Sequence, residues 1–352
     1  MTQWELAPTD ASRTVPKIVL RAGGACPPEW ELAPTDGSRP RITDQGIFRH
    51  RPLIERQLER CFPKSDRSLL NRVQRYALFP GGKRIRPLLC IAAYRACGGD
   101  SNRAILPFAC GIELIHSFSL IQDDLPAMDN DLKRRGKPTL HVAFGEAVAL
   151  LASDALFSRA FELFTRSSAR CRQKIPAIRE IAQAIGRQGV VEGQLEDIVR
   201  RGHDPEETGN AKCKMQNAKC NNSRFGIPFL FSTDSARVLR RIHLLKTARL
   251  IAVSMKVGAL IAEAPERVAA GLEQAGTHLG MLFQITDDLL DEGRPGENLT
   301  YPKLYGRAGA RRHARAHLAR YRAVLASLRP NLAASGFREL LSVGDLVLDR
   351  QK

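Results

Sequence analysis

The sequence predicts an all-α fold, and three features of its composition and patterning support this prediction. Its 352 residues are 43% hydrophobic but only 6% aromatic, whereas strands favour aromatic and β-branched side chains. The chain is instead rich in Ala, Leu and Arg, which favour helices. From about Phe48 onward, apolar residues recur at spacings of three and four, the period of an amphipathic helix.

Turn residues divide this pattern into about ten segments. The predicted helices cover residues 48–60, 66–79, 84–98, 103–125, 143–166, 174–199, 238–262, 266–291, 311–328 and 336–350. Three of them, 103–125, 143–166 and 266–291, are apolar on most faces, which is expected of the central helices of a bundle. We therefore expect a helical bundle with these three helices near its core.

Two stretches depart from the helical pattern. In residues 1–45 the heptapeptide WELAPTD occurs twice, starting at Trp4 and at Trp30, and Pro and Gly interrupt any helical period. We interpret this segment as a disordered or loosely docked leader and residues 46–352 as the main domain. Residues 202–236 contain the tetrapeptide NAKC twice, and we interpret them as a loop insertion at the surface.

The formal net charge of +17 indicates an anionic partner or an arginine-rich solvated surface. Basic residues are spread along the chain, without the interleaved aromatic residues that stack on bases, so nucleic acid is not an expected partner. Eight cysteines without a C-x-x-C pair favour a reducing, cytoplasmic location. No uninterrupted apolar run approaches ~18 residues, so no membrane span is expected.

Two acidic clusters follow very apolar helical segments. The first is DDLPAMD and the second is DDLLD, with the carboxylates Asp123, Asp124, Asp129, Asp287, Asp288 and Asp291. Charge at a buried helix end is unfavourable unless something binds it. Asp287 and Asp291 are four residues apart and project from one helix face, while Pro126 lets Asp129 turn back toward Asp123. Carboxylates that converge in this way suit Mg²⁺, which also takes substrate phosphates as ligands.

Basic motifs surround the two acidic clusters in the sequence. GGKRIRP, which starts at Gly81, places a flexible turn before a basic helix start, where backbone amides and cationic side chains bind phosphate. Arg134 and Arg135 follow the first acidic cluster, and Lys246 and Thr247 open another helix. Each of these alone is typical of ordinary surface charge. Their order around two acidic clusters indicates a phosphorylated substrate held through metal ions.

The motifs together resemble those of the trans-prenyl diphosphate synthases. The resemblance runs from about Leu69 to the C-terminus and is densest in IELIHSFSLIQDDLPAMDNDLKRRGKPTLHVAFGEAVALLASDAL, residues 112–156. GGKRIRP and FQITDDLLD add two independent motifs in the expected order. The resemblance implies an isoprenoid synthase-like bundle of roughly ten or more helices around a deep central cavity, usually as a homodimer.

The resemblance also implies a role for each residue of the site. The six aspartates of the two clusters would bind Mg²⁺, two ions at the first cluster and a third at the second. Isopentenyl diphosphate would be held by Lys83, Arg86, His116 and Arg135. The allylic diphosphate would contact Arg134, Lys246, Thr247 and Gln284. Phe118, five residues before Asp123, would form the floor of the cavity and control product length.

The implied activity is the condensation of isopentenyl diphosphate with dimethylallyl or geranyl diphosphate to give farnesyl diphosphate. A geranylgeranyl diphosphate synthase remains an alternative, because it differs only in the depth of its cavity. A weakly active regulatory subunit of a heteromeric synthase is another, because the segment Glu292–Pro302 is short and contains no lysine. A terpene cyclase of related fold is disfavoured, because its second metal motif differs from Asp287-Asp288-x-x-Asp291.

Overall fold

The computed structural model describes residues 46–201, 234–291 and 299–349, which fold into helices and one short hairpin. The helices are α1 (Arg51–Cys61), α2 (Leu69–Leu78), α3 (Ile85–Ala96), α4 (Asn102–Asp123), α5 (Leu140–Phe144), α6 (Glu146–Thr165), α7 (Cys171–Ile185), α8 (Val190–Arg201), α9 (Ser235–His243), α10 (Arg249–Ile261), α11 (Glu266–Leu290), α12 (Tyr301–Leu328) and α13 (Ala334–Leu348). The hairpin strands are β1 (Lys133–Arg134) and β2 (Lys137–Pro138). The all-α prediction is confirmed.

Three sequence predictions fall on residues that the structure does not describe. The leader, residues 1–45, lies outside the described ranges, as does nearly all of the insertion at 202–236. Most of the shortened segment at 292–302 lies outside them too, since the description resumes at Leu299. All three therefore stay predictions of the sequence.

Small residues bring the helices of the core into close contact. A Cβ atom at Gly276 would lie 2.6 Å from the Cα atom of Ala252, and one at Gly280 would lie 2.5 Å from the Cα atom of Ala248. α11 can therefore pack directly on α10 and on the π-helix Leu244–Ala248 that precedes it. This close approach fixes the position of the second acidic cluster relative to Lys246.

The segment 174–199, predicted as one helix, forms two helices, α7 and α8. The chain turns at Gly186 and Gly189, where the amide of Gly189 donates to the carbonyl of Gly186 over 3.0 Å. A Cβ atom at Gly189 would lie only 1.7 Å from the carbonyl oxygen of Ala184, so the turn requires glycine there. The single-helix prediction was wrong because the helical spacing of apolar residues continues across the turn.

α12 starts ten residues earlier than the predicted 311–328 helix. The hydroxyl of Thr300 caps it by accepting from the amide of Lys303 at 3.4 Å. Gly306 has a φ of 66°, which kinks the first turns and interrupts the apolar spacing. The early start places Tyr301 beside the second acidic cluster.

The prediction that residues 143–166 form a buried central helix was wrong for part of the helix. On α6, Leu150 is 44% exposed and Leu151 is 64% exposed, and Val142 of α5 is 49% exposed nearby in the sequence. α10, in contrast, is buried along most of its length. An exposed apolar face of this kind is common where a second chain packs.

α4 is long and apolar enough to cross a membrane by length and composition, the only helix among the described residues that is. However, 78% of its most apolar window is buried inside the bundle. The central helix of a globular domain meets the same criterion. This observation is therefore weak support for a membrane span.

Candidate active site

A cavity of about 420 Å³ lies between α3, α4, the π-helix Leu244–Ala248 and α11. Its lining combines residues from all five basic and acidic motifs with His116 and Gln284: Lys83, Arg86, His116, Asp123, Arg134, Arg135, Lys246, Thr247, Gln284 and Asp287. Apolar side chains of Leu120, Leu250 and Phe283 complete the wall. Motifs up to 200 residues apart in the sequence thus converge on one site.

The first acidic cluster turns back on itself as the sequence predicts. α4 ends at Asp123, and the amide of Asp129 donates to the carbonyl of Asp123 over 2.9 Å. Asp124 is buried next to the hairpin, where the Nε atom of Arg134 donates to its two carboxylate oxygens at 2.7 and 2.9 Å. Asp123 faces the cavity, whereas Asp124 is neutralised by the protein itself.

The partly buried carboxylate of Asp123 is suited to bind a metal cation. Burial, with a smaller contribution from the neighbouring Asp129, raises its pKa to about 6 although Lys246 lowers it. The ionised carboxylate is therefore costly unless a cation is close. Oxygen donors in this arrangement match the preference of Mg²⁺ for hard ligands.

In the second cluster only Asp287 lines the cavity, together with Phe283 and Gln284 of the same helix face. Asp288 is 7% exposed and accepts hydrogen bonds from the Tyr301 amide at 2.9 Å and the Gln284 amide group at 3.1 Å. Burial raises the pKa of Asp288 to about 6. Its carboxylate thus anchors the start of α12, and Asp291 lies at the C-terminal cap of α11.

No group of three or more metal-ligating side chains is already assembled within the described ranges. Asp123 and Asp287 instead belong to different walls of the cavity. This arrangement suits Mg²⁺ that binds through one or two carboxylates and completes its shell with substrate phosphates. The residues present fit such an ion.

Lys246 and Thr247 lie in the π-helix Leu244–Ala248, and not at the start of an ordinary helix as the sequence predicts. Such π-helical turns are frequent at functional sites. The hydroxyl of Thr247 donates to the Gln284 side-chain oxygen over 2.8 Å. Because Gln284 also donates to Asp288, a chain of hydrogen bonds links the π-helix to the second acidic cluster.

Arg86 of α3 and His116 of α4 form a pair in the wall of the cavity. Their Nη1 and Nε2 atoms are 3.1 Å apart. Because arginine can only donate, Nε2 accepts and the proton resides on Nδ1. Burial and the adjacent Arg86 hold the pKa of His116 well below its usual range, so the ring is neutral.

Arg86 itself is poised to bind an anion. Burial lowers its pKa to about 10, so the side chain remains cationic at neutral pH. Among the described residues, its buried Nε atom has no hydrogen-bond partner. A buried cationic donor of this kind is unfavourable unless a ligand satisfies it.

The hairpin between α4 and α5 delivers two further cations. Its turn residues Arg135 and Gly136 both have positive φ, 53° and 79°, as a two-residue type I′ turn requires. Arg135 then lies over the backbone of Gly82, where a Cβ atom would be 2.9 Å from its Nη2 atom. This hairpin was not predicted from the sequence, although an Arg-Gly pair after a cluster of polar residues is a turn signal.

Arg84, the middle cation of GGKRIRP, has a structural role. It is almost fully buried and pairs with Glu113 at 2.7 Å and Glu55 at 3.0 Å. It also donates to the carbonyl of Leu78 at 2.7 Å, across the turn. This network holds the start of α3 so that Lys83 and Arg86 reach the cavity.

α8 contributes to the site in a way that was not predicted from the sequence. Asp197 accepts from the Nζ atom of Lys246 over 2.8 Å and so orients this cation. One turn earlier, a Cβ atom at Gly193 would lie 2.5 Å from the backbone nitrogen of Lys246, so only glycine allows this crossing. The available signal was Gly193 and Asp197 at a spacing of four, on one face of a helix.

Phe118 is not among the residues that line the cavity. Its ring packs on Phe157 of α6, with 4.9 Å between centroids. The row continues from Phe157 to Phe161 at 5.1 Å and from Phe161 to Phe164 at 5.6 Å. Phe118 therefore belongs to an aromatic row, Phe118–Phe157–Phe161–Phe164, at the contact between α4 and α6.

Known proteins match this fold and these motifs. The polyprenyl synthetase family model matches residues 67–299. A farnesyl diphosphate synthase of Geobacillus stearothermophilus is 36% identical over 296 residues, which cover 78% of this chain and 89% of the relative. The structure of a geranyltransferase from Legionella pneumophila has a TM-score of 0.71 at 29% identity, covering 87% of this chain and 96% of the other.

Plant relatives match over a smaller share of their length. A heterodimeric geranylgeranyl pyrophosphate synthase large subunit 2 of Arabidopsis thaliana is 36% identical over 266 residues. These residues make up 72% of this chain and 64% of the relative, so the chain spans less than two thirds of that protein. On these matches, the chain belongs to the polyprenyl synthetase family, the trans-prenyl diphosphate synthases.

Proposed function

We propose that this protein is a Mg²⁺-dependent prenyltransferase that condenses isopentenyl diphosphate with an allylic diphosphate. The observation that carries the proposal is one cavity in which Asp123 and Asp287 lie on different walls among seven cationic or imidazole residues. Members of the family use Mg²⁺ for catalysis. Three ions per site, as the resemblance implies, are part of the proposal.

Isopentenyl diphosphate binds at the basic end of the cavity in this proposal. Arg86 supplies a buried donor without a protein partner among the described residues, and Arg135 and Lys83 line the same wall. Neutral His116, whose Nε2 atom accepts from Arg86, can donate a hydrogen bond from Nδ1 without adding charge. A diphosphate satisfies these donors together, whereas a single carboxylate would not.

The allylic diphosphate binds between Lys246, Arg134 and Gln284, close to Asp123 and Asp287. Asp197 holds Lys246, and Asp124 holds Arg134, so both cations are fixed before the substrate arrives. Fixed charges stabilise a leaving group without reorganisation. Mg²⁺ bound there would neutralise further charge on the departing diphosphate.

The reaction breaks the allylic C–O bond, and the electron pair leaves with the diphosphate. The double bond of isopentenyl diphosphate then forms the new C–C bond with the allylic cation, and loss of one proton restores a double bond. The leaving diphosphate can accept that proton, since no side chain of the described cavity is an obvious base. Leu120, Leu250 and Phe283 keep water from the cation.

Farnesyl diphosphate is the product that we propose. Its support is the aromatic row beside α4, whose first member, Phe118, lies five residues before Asp123. A geranylgeranyl product is equally compatible with the relatives, whose names include both kinds of synthase. The product-length experiment in the Discussion distinguishes the two.

The protein acts as a homodimer in this proposal. The exposed apolar residues Leu150 and Leu151 of α6 support it, because they would be covered by a second chain. A regulatory subunit in a heteromeric synthase remains the alternative, since one relative is named as a heterodimeric large subunit. Sedimentation equilibrium of the purified protein alone distinguishes the homodimer from a subunit that needs a different partner. The cytoplasmic location stays a prediction from the sequence.

The proposal is tested with purified protein, isopentenyl diphosphate, dimethylallyl diphosphate and Mg²⁺. Asp123→Ala and Asp287→Ala are each expected to lower turnover by orders of magnitude, because each removes a charge that faces the cavity. Asp100→Ala, an exposed aspartate between α3 and α4, is the matched control and should retain parental turnover. Near-parental activity in either cavity variant would contradict the proposed metal sites.

A further inference from the structure

α12 carries an unbalanced positive charge along its exposed side. Between Tyr301 and Leu328 it contains no Asp or Glu. Arg311, Arg312, Arg315 and Arg320 are exposed and make no ion pair with any described carboxylate. Further along the helix, Arg322 pairs with Asp345 of α13, which marks the end of this unbalanced region.

α9 extends the same surface. Arg237 and Arg240 are exposed on it, and the Arg240 side chain hydrogen-bonds the hydroxyl of Tyr301 at the start of α12. Arg241, in contrast, pairs with Glu196 of α8 at 2.6 Å. We define the basic face as the exposed arginines of both helices without a described carboxylate partner: Arg237, Arg240, Arg311, Arg312, Arg315 and Arg320.

Three imidazoles lie beneath this face and report its potential. His278 of α11 and His317 of α12 meet with their Nδ1 atoms 3.3 Å apart, and His313 lies one turn before His317. Burial lowers the pKa of each ring. The pKa of His317 is lowered further by His278, and Arg320 lowers the pKa of all three rings. Among the described residues, no carboxylate pairs with the arginines of the basic face.

The shape and composition of the basic face indicate the kind of partner. The segment from Arg311 to Arg320 spans about 14 Å along α12, and at 100° per residue its four arginines spread over about half of the helix circumference, with Arg311 and Arg320 at the two edges. The exposed residues among its arginines are alanines, such as Ala316 and Ala319. The face thus offers no aromatic side chain on which bases stack and no apolar anchor of the kind that dominates protein interfaces.

We propose that the basic face docks on the surface of an anionic lipid bilayer. Guanidinium groups bind phosphate in a bidentate way and are weakly hydrated, so a plane of anionic headgroups satisfies several at once. The choice of a bilayer over other polyanions rests on the proposed function, whose product has a long apolar chain and a diphosphate head. Such an amphiphile partitions into membranes, so docking would release it where it is soluble.

The experiment measures sedimentation of the full-length protein with vesicles of phosphatidylcholine, with and without phosphatidylserine. No substrate is present, so the result does not depend on prenyltransferase activity. We expect binding only to the vesicles with phosphatidylserine, and it should weaken as salt rises above about 0.1 M, where charges are screened beyond roughly 10 Å. The variant Arg311→Gln/Arg312→Gln/Arg315→Gln should bind about 100-fold more weakly.

The matched control is Arg56→Gln/Arg60→Gln/Arg67→Gln, which removes the same net charge from exposed positions on α1 and the loop that follows. It should bind vesicles like the parent. Absence of binding to phosphatidylserine, or an equal loss in both triple variants, overturns the proposal. A short single-stranded RNA that binds the parent in place of vesicles, and loses binding in the basic-face variant alone, overturns it in favour of nucleic acid.

Discussion

Product length is the functional property that the structure makes most directly testable. Phe118 and Phe157 lie in contact where α4 meets α6, and their ring centroids are 4.9 Å apart. If this pair closes the route of the growing chain, the single variant Phe118→Ala opens it only in part, because Phe157 remains. The double variant Phe118→Ala/Phe157→Ala is expected to open it fully.

The size of the effect follows from the rings that are removed. Each Phe→Ala change deletes a six-carbon ring, which is close to the size of one five-carbon isoprene unit. Phe118→Ala should therefore add some twenty-carbon product to the fifteen-carbon product, and the double variant should shift the mixture further. Truncating a fully buried Phe costs about 3–5 kcal/mol. Because both rings are only partly buried, we expect a loss of about 2 kcal/mol for each.

The two residues should also show coupled stabilities. Contact between two aromatic rings contributes about 0.5–1.5 kcal/mol beyond burial, so the double variant should lose that much less than the sum of the single variants. Denaturant unfolding of the four proteins measures this coupling. Phe337→Ala, which truncates a partly buried ring on α13, is the control for a general loss of stability.

The assay extends dimethylallyl diphosphate with labelled isopentenyl diphosphate and separates the products by chain length. Phe337→Ala should make the parental product. If both Phe118→Ala and the double variant also make the parental product while the folded state is retained, the aromatic row does not limit length. The proposed farnesyl assignment would then lose its structural support.

Two further predictions concern α8 and α12. Asp197→Asn should raise the KM for the allylic diphosphate about tenfold and change kcat less. The reason is that it releases Lys246 from a 2.8 Å ion pair without removing the cation. An unchanged KM would show that Lys246 does not need the ion pair with Asp197 to bind the substrate. Burial lowers the pKa of His317 to about 4 in the folded protein. Between pH 6.5 and 4 the unfolded chain therefore binds more protons at this residue than the folded protein does, so lowering the pH destabilises the fold. His317→Gln should therefore lose about 1 kcal/mol less than the parent between pH 7 and 5, after allowance for its partial exposure; equal losses in thermal unfolding would contradict this pKa.

The residues of the cavity could be predicted because they lie at ends of helices that the apolar pattern makes visible. Asp123 ends α4 and Asp287 lies in the last turn of α11, so packing the two apolar helices in one core brings the charged ends together. The basic turn before α3 likewise lies at the end of an apolar helix that packs in the core. Local patterning therefore located both acidic clusters and GGKRIRP.

Features that depend on contacts between distant segments could not be predicted in this way. The π-helix at Lys246 forms where α9, α10 and α11 pack, and its composition is that of an ordinary helix. The burial of Arg84 depends on Glu113, 29 residues away, so the sequence alone did not separate it from Lys83 and Arg86. The role of Asp197 likewise depends on a partner 49 residues away.

The same division of roles recurs in the two aspartate pairs. Neighbouring residues on a helix point about 100° apart, and in each aspartate pair one member lines the cavity while the other turns to a neighbouring segment. Asp123 and Asp287 face the cavity, whereas Asp124 binds the hairpin through Arg134 and Asp288 binds the start of α12 through the Tyr301 amide. The second aspartate of each pair thus places the segment that follows. Replacing it is therefore expected to displace Arg134 or the start of α12, in addition to removing a carboxylate that the family resemblance assigns to Mg²⁺.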